Sequence, residues 1–296
     1  MKVVYYTSAR TGSGHIVLGL SVFNGLKRCV KDLDFTILTC SSFTELAGRF
    51  MVPVIQIPHE DEHQLGRERC GGSHLYRKLQ ELQPDVLIVD LSWFTLHYFI
   101  DELSCRKIFL CRQISDSAFS IPLQEESLIF NTKQYDRIFA IEPFQSEIKM
   151  EQLNPIVIRN RDEILSREEA HRRLGITDNS EGKKVCLFAF NGKPGEFEEK
   201  QKTYSYLEEE GYRMVYSTNF QGGLFPAADY FNGADLLISG AGYNAYWEAM
   251  YFEKDVIFIP LHRRFESQRR RVETCSGYRF SENGADQLAR EILLRF

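Results

Sequence analysis

The chain has 296 residues, 43% hydrophobic and 26% charged, enough to bury the cores of two compact halves and unlike a disordered, collagen-like or coiled-coil composition. Thirty-six Lys and Arg against 41 Asp and Glu leave a net charge of −5, which excludes a global basic field for nonspecific nucleic-acid binding. The amino terminus, MKVVYYTSARTGSGH, lacks a signal-peptide core, no apolar run is long enough to span a membrane, and seven scattered cysteines form no C-x-x-C pair, so a reduced, cytoplasmic protein is expected.

In the first half, short apolar runs recur at Val3 to Thr7, Phe35 to Thr39, Val54 to Ile57, Val86 to Asp90, Lys107 to Cys111 and Arg137 to Ile141. They are too short for helices and rich in Val, Ile and Phe, as strands of a parallel sheet buried on both faces should be. Helical spacing lies between them, as in Ile16 to Val30 with an apolar face through Leu18, Val22 and Leu26. Residues 159–182 are highly charged and read as a linker with the helix that leads into the second half; Ser166 and Glu169 fit a capping box, and the helix should stop at Gly175. A second series follows at Val185 to Phe190, Arg213 to Tyr216, Leu236 to Ser239 and Val256 to Pro260, closed by a helical segment from Gly284 to Phe296. The expected architecture is α/β: one Rossmann-like domain over 1–158 and another over 183–296, with parallel sheets.

The first strand leads into Gly12-Ser13-Gly14-His15 and a helix, a turn that exposes backbone N–H groups at a helix start and favours an anion. A dinucleotide fingerprint would need glycine where Val17 stands and an acidic residue where the second strand ends in Thr39 and Cys40. A Walker motif would need lysine at Leu20. What remains is a glycine turn with one imidazole at the carboxyl edge of a parallel sheet.

The stretch from Asn232 to Gln268 is the most informative. A buried strand ends in Gly240-Ala241-Gly242, a helix opens through Tyr243 and Asn244, and a second strand ends at Pro260 before a polar loop. The turn suits a phosphate or diphosphate. Glu248, within the helix, could accept hydrogen bonds from two vicinal ribose hydroxyls, because an ionised carboxylate is acceptor-only. This segment resembles the donor-binding region of GT-B glycosyltransferases of family 28, the type that includes the peptidoglycan N-acetylglucosaminyltransferase. The resemblance is carried by Gly242, Glu248 six positions on, Pro260 and Gln268, together with the amino-terminal turn Gly12-Ser13-Gly14-His15. It departs from the family after the first strand of the second half, where Asn191-Gly192-Lys193 replaces a Gly- and Ser-rich turn.

The resemblance implies a GT-B fold with two Rossmann-like domains facing a cleft, an acceptor domain first and a nucleotide-sugar donor domain second. It implies metal-independent transfer of a sugar, an N-acetylhexosamine or hexose, from a UDP-sugar, with no separate cofactor. The acceptor would be a small molecule, a glycan or a lipid-linked sugar, with peripheral membrane contact left open. Gly12, Ser13 and Gly14 enter the donor set with Asn191, Gly192 and the turn from Gly240 to Asn244. Glu248 would hold the ribose, Arg263 or Arg264 the phosphates, and Glu266 and Gln268 the sugar hydroxyls, in a loop with His262 and Phe265. Arg269-Arg270-Arg271 is read as a solvated helix face. His15 would take the acceptor's proton or hold the donor phosphate, with Asp90 as an alternative base. At 296 residues the chain is short for this fold, which keeps open a GT-B-like hydrolase that cuts a UDP-sugar with water. A noncatalytic nucleotide-sugar-binding protein is the third reading. His59-Glu60-Asp61-Glu62-His63 matches H-E-x-x-H, but its polar surroundings after Pro58 offer no buried helix, so zinc is not expected.

Overall fold

A computed structural model describes the chain except residues 11, 61–69, 124–126, 177–181, 193, 219–221, 264, 265, 295 and 296. The apolar runs of the first half become strands Lys2–Thr7 (β1), Asp34–Thr39 (β2), Val54–Gln56 (β3), Val86–Asp90 (β4) and Arg106–Cys111 (β5). A small antiparallel hairpin, Ser120–Pro122 (β6) and Ser127–Ile129 (β7), precedes Arg137–Ala140 (β8) and Glu151–Gln152 (β9). Seven of these pair in the order β3-β2-β1-β4-β5-β8-β9, every pair parallel. Every residue of β4 is buried, as its unbroken apolar sequence demands of a strand covered on both faces. Helices Gly14–Cys29 (α1), Glu45–Gly48 (α2) and His74–Leu82 (α3) lie in the connections. The winding reverses between β1 and β4, and in open α/β sheets ligands bind outside the carboxyl ends of the strands at such a switch point.

The second unit, Val157–Asn283, is built the same way. Helix Arg167–Arg173 (α4) starts at Ser166, whose hydroxyl accepts the Glu169 N–H at 3.2 Å, as the capping-box spacing predicts. Strand Lys184–Ala189 (β10), helix Pro194–Thr203 (α5), strands Tyr212–Ser217 (β11) and Leu236–Gly240 (β12), helix Tyr243–Tyr251 (α6), strand Val256–Ile259 (β13) and helix Gln268–Cys275 (α7) follow. The sheet order is β11-β10-β12-β13, so its switch point lies between β10 and β12. The Ser239 hydroxyl donates to the Ala189 carbonyl at 3.0 Å and ties these two strand ends together. Phe188, Phe190, Phe197 and Ile238 fill the core beneath them.

Two boundaries differ from the sequence expectation. The charged stretch after residue 158 is part of the second unit rather than a free linker: Arg159 pairs with Asp229 at 2.7 Å and Arg167 with Asp235 at 2.9 Å. The closing helix Gly284–Leu293 (α8), expected to finish the second half, packs on α1 and belongs to the first unit, Met1–Ile156 with Gly284–Phe296. Small residues permit it: a Cβ on Gly25 would lie 2.5 Å from the Ala285 carbonyl oxygen, and one on Gly284 would lie 1.9 Å from that of Asn154. Arg28 pairs with Asp286 at 2.7 Å, and Arg106 donates to the carbonyls of Glu291 and Ile292. Composition alone does not reveal these partners, because the glycines look like ordinary turn residues. Gly284→Ala is therefore expected to cost about 1–3 kcal/mol through overpacking and to lower Tm by several degrees. Gly277→Ala, in open space, is the control in the same thermal melt. No described helix is long and apolar enough to cross a membrane.

Candidate active site

In the first unit, four strand ends deliver polar side chains to the carboxyl edge. β1 ends at Thr7, and the following turn passes Gly12, at φ +82°, before α1 opens at Gly14 with no side-chain cap from Ser13. His15 sits in the first turn of α1, and its Nδ1 lies 2.5 Å from Oδ2 of Asp90, the last residue of β4. The two residues that the sequence offered as alternatives are one pair. Thr7 Oγ1 lies 3.1 Å from the same nitrogen, and the Tyr5 hydroxyl donates to Asp90 Oδ2 at 2.7 Å. With Asp90 as acceptor the hydrogen-bond network assigns the proton to Nδ1, leaving Nε2 as the basic nitrogen.

Arg112 completes the cluster. It follows β5, is buried, and places one guanidinium nitrogen 2.7 and 2.9 Å from the two imidazole nitrogens and 3.4 Å from both Asp90 oxygens. A single nitrogen cannot lie on both in-plane lone-pair directions of a ring, so the contact with His15 is one of charge against ring. Burial alone would raise the Asp90 carboxyl; the Arg112 charge, then that of His15, and hydrogen bonds from His15 and Tyr5 overcome it and hold it at about 2. The carboxylate is thus ionised beneath the histidine.

The backbone is shaped to keep this arrangement. Leu91 adopts φ +59° directly after Asp90, which turns the chain so that the Ser92 hydroxyl accepts the Ser8 N–H at 2.8 Å. That contact ties the glycine turn to the end of β4. Further along the edge, the Gln113 N–H donates to Glu142 at 2.7 Å, and Glu142 is fully buried. Sequence reasoning missed Tyr5 and Arg112. Their signals exist: Arg112 is a charge directly after an unbroken buried strand, as Asp90 ends one, and Gly19 is a glycine within a helix, where a Cβ would meet the Tyr5 ring at 2.9 Å.

In the second unit, both expected loops sit at the switch point. Gly242 caps α6 with no side-chain cap and no acidic residue in the first turn. Glu248, on that helix, is buried rather than solvated, and burial, with the Asp229 charge second, pushes its carboxyl up to about 8. No described residue gives it a hydrogen bond. Asn191 is exposed after β10, while Gly192 is buried, and a Cβ there would lie 2.5 Å from the Phe190 ring and 2.8 Å from a Glu196 carboxylate oxygen. Glu196 faces Arg263 through two contacts of 3.2 Å, so Arg263 is already paired. Lys193, Arg264 and Phe265 lie outside the described residues, and His262 is exposed with its backbone bridged to Ser267.

The arginine run needs correction. Arg269 and Arg270 are exposed as expected, but Arg271 is fully buried, donating to the Ala241 carbonyl at 2.9 Å and to Glu266 at 3.1 Å. The cap at Ser267 sets the face of α7, so Gln268, Arg271 and Cys275 turn inward together. Gln268 donates to Glu266 and accepts the Leu261 N–H, both at 2.9 Å, which commits part of its amide to the loop. Its amide nitrogen would lie 3.6 Å from a Cβ on Gly242.

Elsewhere, Glu60 of the H-E-x-x-H pentapeptide caps α3, accepting from the Ser73 hydroxyl and the His74 N–H at 2.7 Å; Asp61 to His63 lie outside the described residues. Among the described residues, no group of three His, Cys, Asp or Glu side chains is placed to hold a metal ion. A cavity of about 800 Å³ opens at the amino ends of the first sheet, beside Asp85, Arg106 and Asp136. Its polar groups hold the chain itself: Asp85 accepts the Lys2 N–H and Asp136 that of Lys107. The cluster of His15, Asp90 and Arg112 lies at the opposite edge.

No protein-family model and no curated protein sequence matches the chain. Its fold matches solved structures. The glycosyltransferase SsfS6 of Streptomyces sp. SF2575, solved with thymidine diphosphate, aligns at TM-score 0.60 and 10% identity over 93% of this chain and 85% of its own. MurG of Acinetobacter baumannii aligns at 0.55 and 12% identity, covering 99% and 91%. A Listeria monocytogenes protein assigned as a UDP-N-acetylglucosamine 2-epimerase aligns at 0.51 and 12% identity, covering 99% and 87%. The fold is GT-B, as the sequence resemblance implies.

Proposed function

We propose that the chain transfers a glycosyl group from a nucleotide sugar, in first place a UDP-sugar, to an acceptor hydroxyl. The observation that carries this reading is the His15–Asp90 pair: an imidazole at the switch point, 2.5 Å from a buried, ionised carboxylate. In the proposed reaction His15 Nε2 takes the proton of the acceptor hydroxyl. The freed oxygen bonds to the anomeric carbon, and the bond from that carbon to the phosphate oxygen breaks. Asp90 holds the Nδ1 proton and stabilises the imidazolium as it forms, the role of the acidic member in a His–Asp pair.

The donor belongs to the second unit in this reading. The N–H groups opening α6 after Gly240-Ala241-Gly242 face the diphosphate, and Glu248 receives the ribose hydroxyls. These amides, rather than a metal ion, meet the charge of the departing nucleoside diphosphate. The likeness in fold to SsfS6, a glycosyltransferase solved with thymidine diphosphate, supports this reading.

The test is release of nucleoside diphosphate from UDP- and TDP-sugars, measured with and without a panel of hydroxyl acceptors. Acceptor-dependent release is the expected result. Release at the same rate in water alone identifies a hydrolase, in which His15 activates water. Binding without release identifies a nucleotide-sugar receptor and ends the enzymatic reading.

A further inference from the structure

We propose that Arg271 is a positioning residue for the donor diphosphate: a buried guanidinium that fixes the turn Gly240-Ala241-Gly242 so that the N–H groups opening α6 face the ligand. The proposal rests on reading the second unit as the donor half.

Arg271 has no solvent exposure, and burying a guanidinium is costly unless its hydrogen bonds are met. Its partners are specific. One nitrogen donates to the Ala241 carbonyl at 2.9 Å and to Glu266 Oε2 at 3.1 Å. The Ala241 carbonyl and the Gly242 N–H belong to one planar trans peptide, in which C=O and N–H point in opposite directions. Gripping the carbonyl from the inside therefore aims the Gly242 N–H away from Arg271. Glu266 is itself fixed, since Gln268 Nε2 donates to its other oxygen at 2.9 Å while Gln268 Oε1 accepts the Leu261 N–H at 2.9 Å. The network joins the turn after β12 to the loop after β13.

Two further observations point to a ligand rather than to packing. Helices α3, α4 and α7 are each capped by a serine side chain, Ser73, Ser166 and Ser267, whereas α6 begins at Gly242 with no side-chain cap and no acidic residue in its first turn. A serine oxygen meets the first turn at those three starts, whereas at α6, as at α1, no side-chain cap does. On the same helix, Glu248 is a buried carboxyl that no described residue hydrogen-bonds. A nucleoside diphosphate suits both features, with an anion for the helix start and hydroxyls for the carboxyl.

The experiment measures uridine diphosphate by calorimetry and uridine by chemical-shift titration on wild type, Arg271→Met, Arg271→Lys and Glu266→Gln, each checked for a cooperative thermal melt. Arg271→Met should weaken uridine diphosphate at least tenfold and leave uridine within twofold, because only the phosphates meet the turn. Arg271→Lys, which keeps the charge and a donor, should recover part of the loss, and it carries the same comparison if Arg271→Met does not fold. Equal weakening of both ligands, or no weakening of either, overturns the positioning role. A wild-type chain that binds neither uridine diphosphate nor thymidine diphosphate overturns the donor reading, and the proposal falls with it.

Discussion

His15→Ala is expected to lower turnover of a nucleotide sugar by about two to four orders of magnitude, the range for loss of a positioned general base, while leaving the fold intact. The side chain of His15 is 24% exposed, so its removal opens no core cavity. Asp90→Asn should behave differently. It removes the buried charge that Arg112 faces at 3.4 Å and that the Tyr5 hydroxyl and His15 also meet. Breaking a buried pair in this way costs about 3–5 kcal/mol, read as a lower midpoint in chemical denaturation. The pH dependence has a definite sign. The Asp90 carboxyl is held at about 2, below its value of about 3.9 in an unfolded chain. Its contribution to stability, of the order of 2 kcal/mol, is fully present above about pH 4 and is lost as pH falls toward 2. Near-normal turnover in His15→Ala would remove the imidazole from the chemistry, whatever Asp90→Asn does to stability.

The strands were legible because burial on both faces leaves an unbroken apolar run, and Val86 to Asp90 shows it most plainly. The glycine turns at Gly12 and Gly242 were legible because a strand end running into a helix start has few other solutions. The relation of His15 to Asp90 was not. The residues stand 75 positions apart, and only the neighbour pairing of β1 with β4, set by the reversal of winding, makes them meet. Arg112 depends on the same topology through β5. Arg271 misled for a local reason. A run of three arginines after a polar loop has the composition of a solvent face, and which of the three turns inward is decided by the cap at Ser267. The place of the closing helix in the first unit is not legible in the sequence, because its contacts with Gly25 and Asn154 are close backbone approaches that no residue pattern marks.

Glu248→Gln is expected to remove both a pH dependence of stability and most of the nucleotide affinity. In the folded chain burial, with Asp229 behind it, pushes the Glu248 carboxyl up to about 8, whereas an unfolded glutamate titrates at about 4.3. The folded state therefore holds the extra proton between these values. The stability this confers is fully present below about pH 4.3, declines by up to about 1.4 kcal/mol per pH unit, and is gone once pH has risen through 8. Glu248→Gln has no proton to lose, so its stability should be flatter across that window, measured by denaturation at pH 5, 7 and 9. Ligand binding is linked to the same proton. Two ribose hydroxyls donating to the carboxyl favour its ionised form, so uridine diphosphate should displace a proton below pH 8 and bind more tightly as pH rises toward it. Hydrogen bonds to a charged group contribute about 1.5–3 kcal/mol, so Glu248→Gln should weaken uridine diphosphate by roughly tenfold to a hundredfold at pH 8. Calorimetry in two buffers of different ionisation enthalpy counts the displaced proton directly, with the variant as the blank for protons belonging to the phosphates. Equal proton release and equal affinity in wild type and variant would separate Glu248 from the ribose. Thymidine diphosphate, which lacks the 2′-hydroxyl, should show a smaller difference between the two proteins, because only one of the two donors remains to favour the carboxylate.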